Sequence, residues 1–120
     1  EFFTFEVMSA IKSMSSGKAA GPSGIKAELL KAIAEPLSPY LALLFTQFLR
    51  SRFVPSQWTN ANIFPVLKKG DKTVISNYRP ISLQEVLRKI FEKCLMDRVN
   101  RYIEPLSLED SGMVAVPWTR

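Results

Sequence analysis

Four cations crowd one short stretch of this 120-residue chain, PVLKKGDKTVISNYRP: Lys68, Lys69, Lys72 and Arg79. An arginine can fork two N–H groups onto phosphate oxygens, and a lysine adds a mobile point charge. Pro80 fixes its own backbone and biases Arg79 towards an extended conformation, which aims the guanidinium. The chemistry these residue types permit is therefore a grip on phosphates. The plain alternative is a solvated hairpin whose lysines discourage edge-to-edge association. Other chemistry is excluded more firmly. The chain has no His, so a Ser-His-Asp triad, a Cys-His dyad and His-ligated zinc are impossible within it. Its single cysteine, Cys94, can form neither an internal disulfide nor a structural zinc site, and suits a reducing intracellular compartment. GKAAGPSG misses the order of a phosphate-binding P-loop, because Lys18 follows the first glycine. The acids show no D-x-D or Y-x-D-D pair for a two-metal site. No catalytic residue and no metal ligand is assigned, and autonomous catalysis is not expected.

The charge is unevenly placed. Between Lys68 and Arg101 stand nine Lys/Arg against four Asp/Glu, which accounts for the whole net charge of +5. A basic third of the chain is the footprint of a polyanionic partner. At 47% hydrophobic residues the chain can fill the core of one domain, so disorder is a poor reading for most of it. No run approaches the ~18 apolar residues of a membrane span, and the start EFFTF carries neither a secretory pattern nor an initiator Met. The chain is expected to be a piece of a longer polypeptide.

The elements that must hold the cations follow from spacing. Thr4 can cap a first helix to about Met14, with Phe5, Val7, Met8, Ile11 and Met14 on its apolar face. SSGKAAGPSG breaks it. Ser23 is the expected cap of a second helix, Ile25 to about Ala34. Ser38 with Pro39 signals a third, burying Leu41, Leu44, Phe45, Phe48 and Leu49. VPSQW is a loop, ANIFPVL an edge strand with Pro65, KKGDKT a turn, and VISNYRPISL the returning extended segment. Ser82 and Glu85 fit a capping box opening a long helix to about Ile103, whose stripe is Leu87, Ile90, Phe91, Cys94, Leu95, Val99 and Tyr102. Arg88–Glu92 and Asp97–Arg101 are expected pairs on its wet face. Trp58, Tyr78 and Cys94 read as packing residues, Tyr78 being the better stacking candidate of the two aromatics, and Arg98 could touch nucleic acid. The fold class is α+β, mostly helical, with helices packed beside a basic β-hairpin.

Three blocks stand in order: SSGKAAGPSGI, FVPSQWTNANIFPVLKKGD and NYRPISLQEVLRKIFEKCLMDRV. Together they resemble the reverse transcriptases of non-LTR (LINE-type) retrotransposons, in the segment before the catalytic palm. The resemblance covers about Phe5 to Glu104, and the ordered set is more specific than any one block. It implies the fingers subdomain of a right-hand polymerase over residues 1–104, followed by an irregular or divergent tail over 105–120. It also implies that Arg79 and either Lys68 or Lys69 bind the phosphates of an incoming nucleotide. Lys18, Lys72, Tyr78, Pro80, Ile81, Ser82 and Leu83 would lie near the nucleotide or the template. An RNA template, a DNA primer and the palm of the same polypeptide would be the partners, with no membrane. Mg²⁺ and a dNTP would serve the full-length enzyme, and no cofactor this segment alone.

Two departures stand out. Ser23 occupies a position where the family usually has Asp, and SLEDSGMVAVPWTR lacks the family's usual Q-x-G-F-R continuation. The palm carboxylates never appear. Three readings stay open: a polymerase fragment inactive alone, a non-enzymatic nucleic-acid-binding module derived from such an element, and a decayed coding fragment. A fragment lacking its palm is expected to expose an apolar patch.

Overall fold

The structure, a computed structural model, describes residues 1–109. Its elements run α1 (Thr4–Ser13), α2 (Ala27–Ala32), α3 (Ala34–Ser51), β1 (Asn62–Leu67), β2 (Tyr78–Leu83) and α4 (Val86–Glu109). The architecture is α+β and mostly helical, with one two-stranded antiparallel sheet among the described residues.

The apolar stripes of the helices meet in one core. Val7, Ala10 and Ile11 of α1, Leu30 of α2, Leu41, Ala42 and Phe45 of α3, and Val86, Ile90, Phe91 and Cys94 of α4 are all buried. Its densest part is aromatic. The rings of Phe45 and Phe91 lie 5.1 Å apart, and Phe2 meets both edge-on at 6.3 and 6.1 Å. Trp58 closes the cluster 5.8 Å from Phe91, confirming it as a packing residue. Each such ring buries about 150–250 Å², so truncating Phe45 or Phe91 to Ala would cost about 3–5 kcal/mol. Burial also pushes the Cys94 thiol up to about 11, so it stays protonated and inert at neutral pH.

Chain ends and loops are fastened to this core by polar bonds. The Phe2 N–H donates to Thr46 Oγ1 (2.8 Å), which itself donates to the Ala42 carbonyl (2.7 Å). Arg88 pairs with Glu92 at 2.7 Å, as the helical spacing predicts, and also donates to the Trp58 carbonyl at 2.6 Å. Arg98 is spoken for. Its guanidinium grips the Glu6 carboxylate at 2.6 and 3.0 Å, reaches the Glu1 carbonyl, and lies over the Phe2 ring with its carbon 4.4 Å from the centroid. It is a structural cation, not one left over for nucleic acid.

The helix starts depart from the sequence reading, for one shared reason. Thr4 lies inside α1; the cap position is Phe3, whose N–H donates to Glu6 Oε2 at 2.8 Å. Ser23 does not cap α2, which opens at Ala27 behind Lys26. Ser38 is buried inside α3, its hydroxyl donating to the Ala34 carbonyl at 2.5 Å. The third helix starts earlier because Ala34, Ser38, Leu41 and Phe45 share one buried face, and Pro36 falls in a first turn that needs no N–H donor. Ser82 belongs to β2 and Glu85 faces elsewhere, so the expected capping box does not form. In each case burial or a distant partner outcompetes the local cap.

Other boundaries shift too. Asp97 pairs with Lys93 (3.6 Å) rather than with Arg101. Val74 is not part of the returning strand, and residues Ile75–Asn77 form a 3₁₀ turn, so only Tyr78–Leu83 are extended. α4 continues to Glu109, past the expected end near Ile103, and the rest of the expected irregular tail, 110–120, lies outside the described residues. Phe5, Leu44, Leu49, Val99 and Tyr102, all expected inside, are exposed. The apolar faces they form have no cover among the described residues.

The Glu6–Arg98 bond makes stability depend on pH. The Arg98 hydrogen bond holds Glu6 below its ordinary value of 4.5, against the opposing effect of burial. A depressed carboxylate stabilises the fold fully above its unfolded value and stops doing so as pH falls through its folded one. Glu6→Gln should therefore cost about 1–3 kcal/mol at pH 7, and the gap to wild type should close below pH 4. Urea unfolding at the two pH values checks this; an equal gap at both would refute it.

Candidate functional site

The basic hairpin owes its geometry to two prolines. The register pairs Asn62 with Leu83, Phe64 with Ile81, Pro65 with Pro80, Val66 with Arg79 and Leu67 with Tyr78. The Lys68 N–H points across to the Asn77 carbonyl (2.8 Å). Antiparallel pairs alternate between bonded and non-bonded, so Val66/Arg79 and Phe64/Ile81 are bonded pairs, while Pro65/Pro80 is a non-bonded one. Neither proline deprives the ladder of a donor. Each instead removes one outward N–H from a free edge, which disfavours pairing by a third strand there.

The same register sorts the side chains. Directly opposed residues share a face, which places Arg79 with Val66, Phe64 and Ile81. Lys68, one step of two beyond Val66, falls on that face. Lys69 follows it into the turn, outside the ladder. Of the two lysines, Lys68 is therefore the one aligned with Arg79. Leu83 ends the same face, whereas Tyr78, Pro80 and Ser82 lie on the opposite one. Phe64, Val66 and Ile81 are 53, 43 and 40% exposed, so the cations stand beside uncovered apolar surface. Sequence reasoning missed that apolar half of the face; strict alternation along FPV and PIS was the signal that could have found it.

The connection between the strands is an ordered loop rather than a tight turn. Gly70 takes φ +84°, and an added Cβ would meet the Asn77 amide at 2.8 Å. Asp71 Oδ1 accepts the Thr73 N–H at 2.9 Å, which holds its carboxyl below the usual range. Asn77 donates from its side chain to the Asp71 carbonyl (2.9 Å), and the Tyr78 hydroxyl donates to the Lys72 carbonyl (2.9 Å). Tyr78 is thus a loop fastener. Lys72 sits exposed on a backbone that Tyr78 holds.

Lys18 is not part of this face. It lines a shallow pocket of about 220 Å³ between its own loop and the first turn of α4, with Lys89 among the other lining residues. The loop is bolted to the β2–α4 junction. Glu85, buried, accepts the Ser23 N–H (2.7 Å) and the Ser23 hydroxyl (2.5 Å). Gly21 packs so tightly there that an added Cβ would lie 2.5 Å from the Gln84 carbonyl oxygen.

The acids are occupied or dispersed: Glu6 on Arg98, Asp71 on its own loop, Glu85 on Ser23, Glu92 on Arg88. No group of three His, Cys, Asp or Glu among the described residues could hold a cation. The resemblance implies Mg²⁺ for the full-length enzyme alone, and no step of chemistry is assigned to it here. No described helix is long and apolar enough to cross a membrane.

Because the obstacle to a side chain at Gly21 is backbone rather than a pliable side chain, Gly21→Ala must push the loop off the junction. It should cost about 1–3 kcal/mol and speed tryptic cleavage after Lys18. Unchanged melting and unchanged cleavage would show that the loop is not held there.

No family model matches the chain. Among curated proteins it is similar to a probable RNA-directed DNA polymerase from transposon BS of Drosophila melanogaster, 36% identical over 79% of this chain and 11% of the relative. A probable RNA-directed DNA polymerase from transposon X-element of the same fly is 32% identical over 82% of this chain and 11% of the relative. The RNA-directed DNA polymerase from its mobile element jockey is 30% identical over 78% of this chain and 10% of the relative. The chain spans only 10–11% of the length of these relatives. Its homologues are RNA-directed DNA polymerases of non-LTR retrotransposons, 27–36% identical over about four-fifths of its residues.

Proposed function

We infer that this chain is a segment of a retrotransposon reverse transcriptase, and that it supplies the fingers: the part that holds an incoming nucleotide and the template while a palm elsewhere in the polypeptide carries the chemistry. The observation that carries this reading is the alignment of Arg79 and Lys68 on one exposed face of the hairpin, beside Phe64, Val66 and Ile81. A nucleotide has the matching halves. Its triphosphate suits a forked guanidinium and an ammonium, and its base suits an apolar surface.

The roles follow from the backbone. Arg79 sits in a bonded pair with Val66 and is followed by a proline, so its Cα cannot swing, and the guanidinium approaches phosphate from a fixed origin. Lys68 adds charge from a flexible stem and can follow the phosphates as they move. Mg²⁺ and the dNTP enter as ligands of the whole polymerase. The palm would also cover the apolar faces left open along α3 and the far half of α4, around Leu43 and Tyr102, both 74% exposed or more.

In a polymerase that contains this segment, Arg79→Ala should raise the nucleotide KM or slow extension at least tenfold, about 1.4 kcal/mol, while Lys69→Ala has a smaller effect than Lys68→Ala. Steady-state primer extension measures both; kinetics indifferent to Arg79 would sink the assignment. The chain by itself should give no template-dependent synthesis with primer, dNTPs and Mg²⁺, and measurable product would overturn its reading as a non-catalytic segment.

A further inference from the structure

Lys68 stands just past the end of β1, so the ladder that fixes Arg79 does not by itself fix Lys68. Asn77 does. It lies one step beyond the Leu67–Tyr78 pair, and its carbonyl accepts the Lys68 N–H at 2.8 Å. Its own N–H does not return the bond, as a further rung would require. That N–H turns back into the loop, to the Val74 carbonyl at 3.1 Å.

The half-buried Asn77 side chain closes the loop from inside. Its amide donates to the Asp71 carbonyl at 2.9 Å, and the same carbonyl accepts the Val74 N–H at 3.3 Å. It also lies against Gly70, so closely that an added Cβ there would meet Nδ2 at 2.8 Å. Asparagine suits the place. Its NH₂ is a donor on a short stem, whereas Asp would set a carboxylate against a carbonyl. None of this builds the core: residues Lys68 to Ser76 are all exposed, and neither strand is buried. A loop with nothing packed behind it would wander. Here one amide holds it, and the backbone held next to it is the one that bears Lys68.

We propose that Asn77 is the positioning residue for Lys68 in nucleotide binding: by locking the loop from Gly70 to Val74 it sets where the lysine stem begins beside Arg79. This role rests on the reading of Arg79 and Lys68 as phosphate ligands and adds a residue that touches no nucleotide itself. Arg79 is anchored separately, by its pair with Val66 and by Pro80, so losing the Asn77 amide frees Lys68 and leaves Arg79 in place. A lysine on a wandering backbone must be ordered when the nucleotide binds, which weakens binding and leaves the chemical step alone.

Steady-state primer extension by a polymerase containing this segment, with the nucleotide varied, tests the role. Asn77→Ala should raise the nucleotide KM roughly threefold to tenfold, keep kcat within about twofold, and leave primer–template affinity unchanged. On a Lys68→Ala background the same substitution should add no further rise, because its effect passes through that lysine. If Lys68→Ala raises KM and Asn77→Ala does not, the positioning role is refuted and the reading of the hairpin stands. If Lys68→Ala itself leaves KM unchanged, the role falls together with the Lys68 half of that reading. If Asn77→Ala lowers kcat alone, or raises KM as much without Lys68 as with it, Asn77 acts through something other than Lys68 and the proposal is overturned.

Discussion

The buried carboxylate of Glu85 is the pivot on which the candidate sites turn. It sits where β2 becomes α4, and it accepts both the N–H and the hydroxyl of Ser23 from 62 residues earlier in the chain. A buried charge is tolerated only when its lone pairs are engaged, so the junction and the SSGKAAGPSG loop must stay together. That one requirement fixes Lys18 relative to Lys89, and both relative to the strand that carries Arg79. It also gives the Ser23 departure a local meaning. An Asp at that position would set a second carboxylate against the first, whereas Ser offers donors from both backbone and side chain. In this chain the serine and the glutamate are a matched pair.

The hairpin poses the opposite problem. Both of its faces are largely exposed, and a lone two-stranded hairpin is marginal in water. Its order comes from within. The Asx turn at Asp71, the Asn77 side chain and the Tyr78 hydroxyl tie the connecting loop, and the facing prolines keep the ladder intact while closing both edges. Uncovered apolar residues on such a hairpin would invite strand addition, and Pro65 and Pro80 disfavour it without reducing the exposed surface.

How far the sequence could be read depended on how local the governing physics was. Helix existence, the Trp58 and Cys94 burial, the Arg88–Glu92 pair and the hairpin itself follow from short-range periodicity and spacing, and all were legible. The caps were not. Ser23, Ser38 and Glu85 each match a local capping pattern, yet each is claimed by something a linear pattern cannot see: a carboxylate across the fold, a buried helix face, a distant loop. The stripe of α4 failed for a related reason. Val99 and Tyr102 continue the helical period beyond the part of the helix that this chain covers, so periodicity marks them as interior when nothing among the described residues packs on them. For the candidate site, the cations were legible and their grouping was not. Parity selected Lys68 over Lys69 only once the register was known.

The charge pattern gains its meaning from which cations are already engaged. Within the basic third, Arg88, Lys93 and Arg98 are paired with Glu92, Asp97 and Glu6. Lys68, Lys69, Lys72, Arg79 and Lys89 form no ion pair among the described residues and occupy the hairpin and the first turn of α4, while Arg101 stands apart on the far half of α4. These two elements are joined by only Gln84 and Glu85, and Glu85 is itself turned inward to Ser23. Five cations without an ion-pair partner among the described residues thus follow one another along one stretch of chain, β1 through the start of α4. Their field acts beyond contact distance and is weakened by salt within about 10 Å at 0.1 M. A strand of phosphates can span several of these cations, while a single nucleotide would meet only the aligned pair on the hairpin face. The physical difference between the two ligands is therefore how many of these cations each can engage at once.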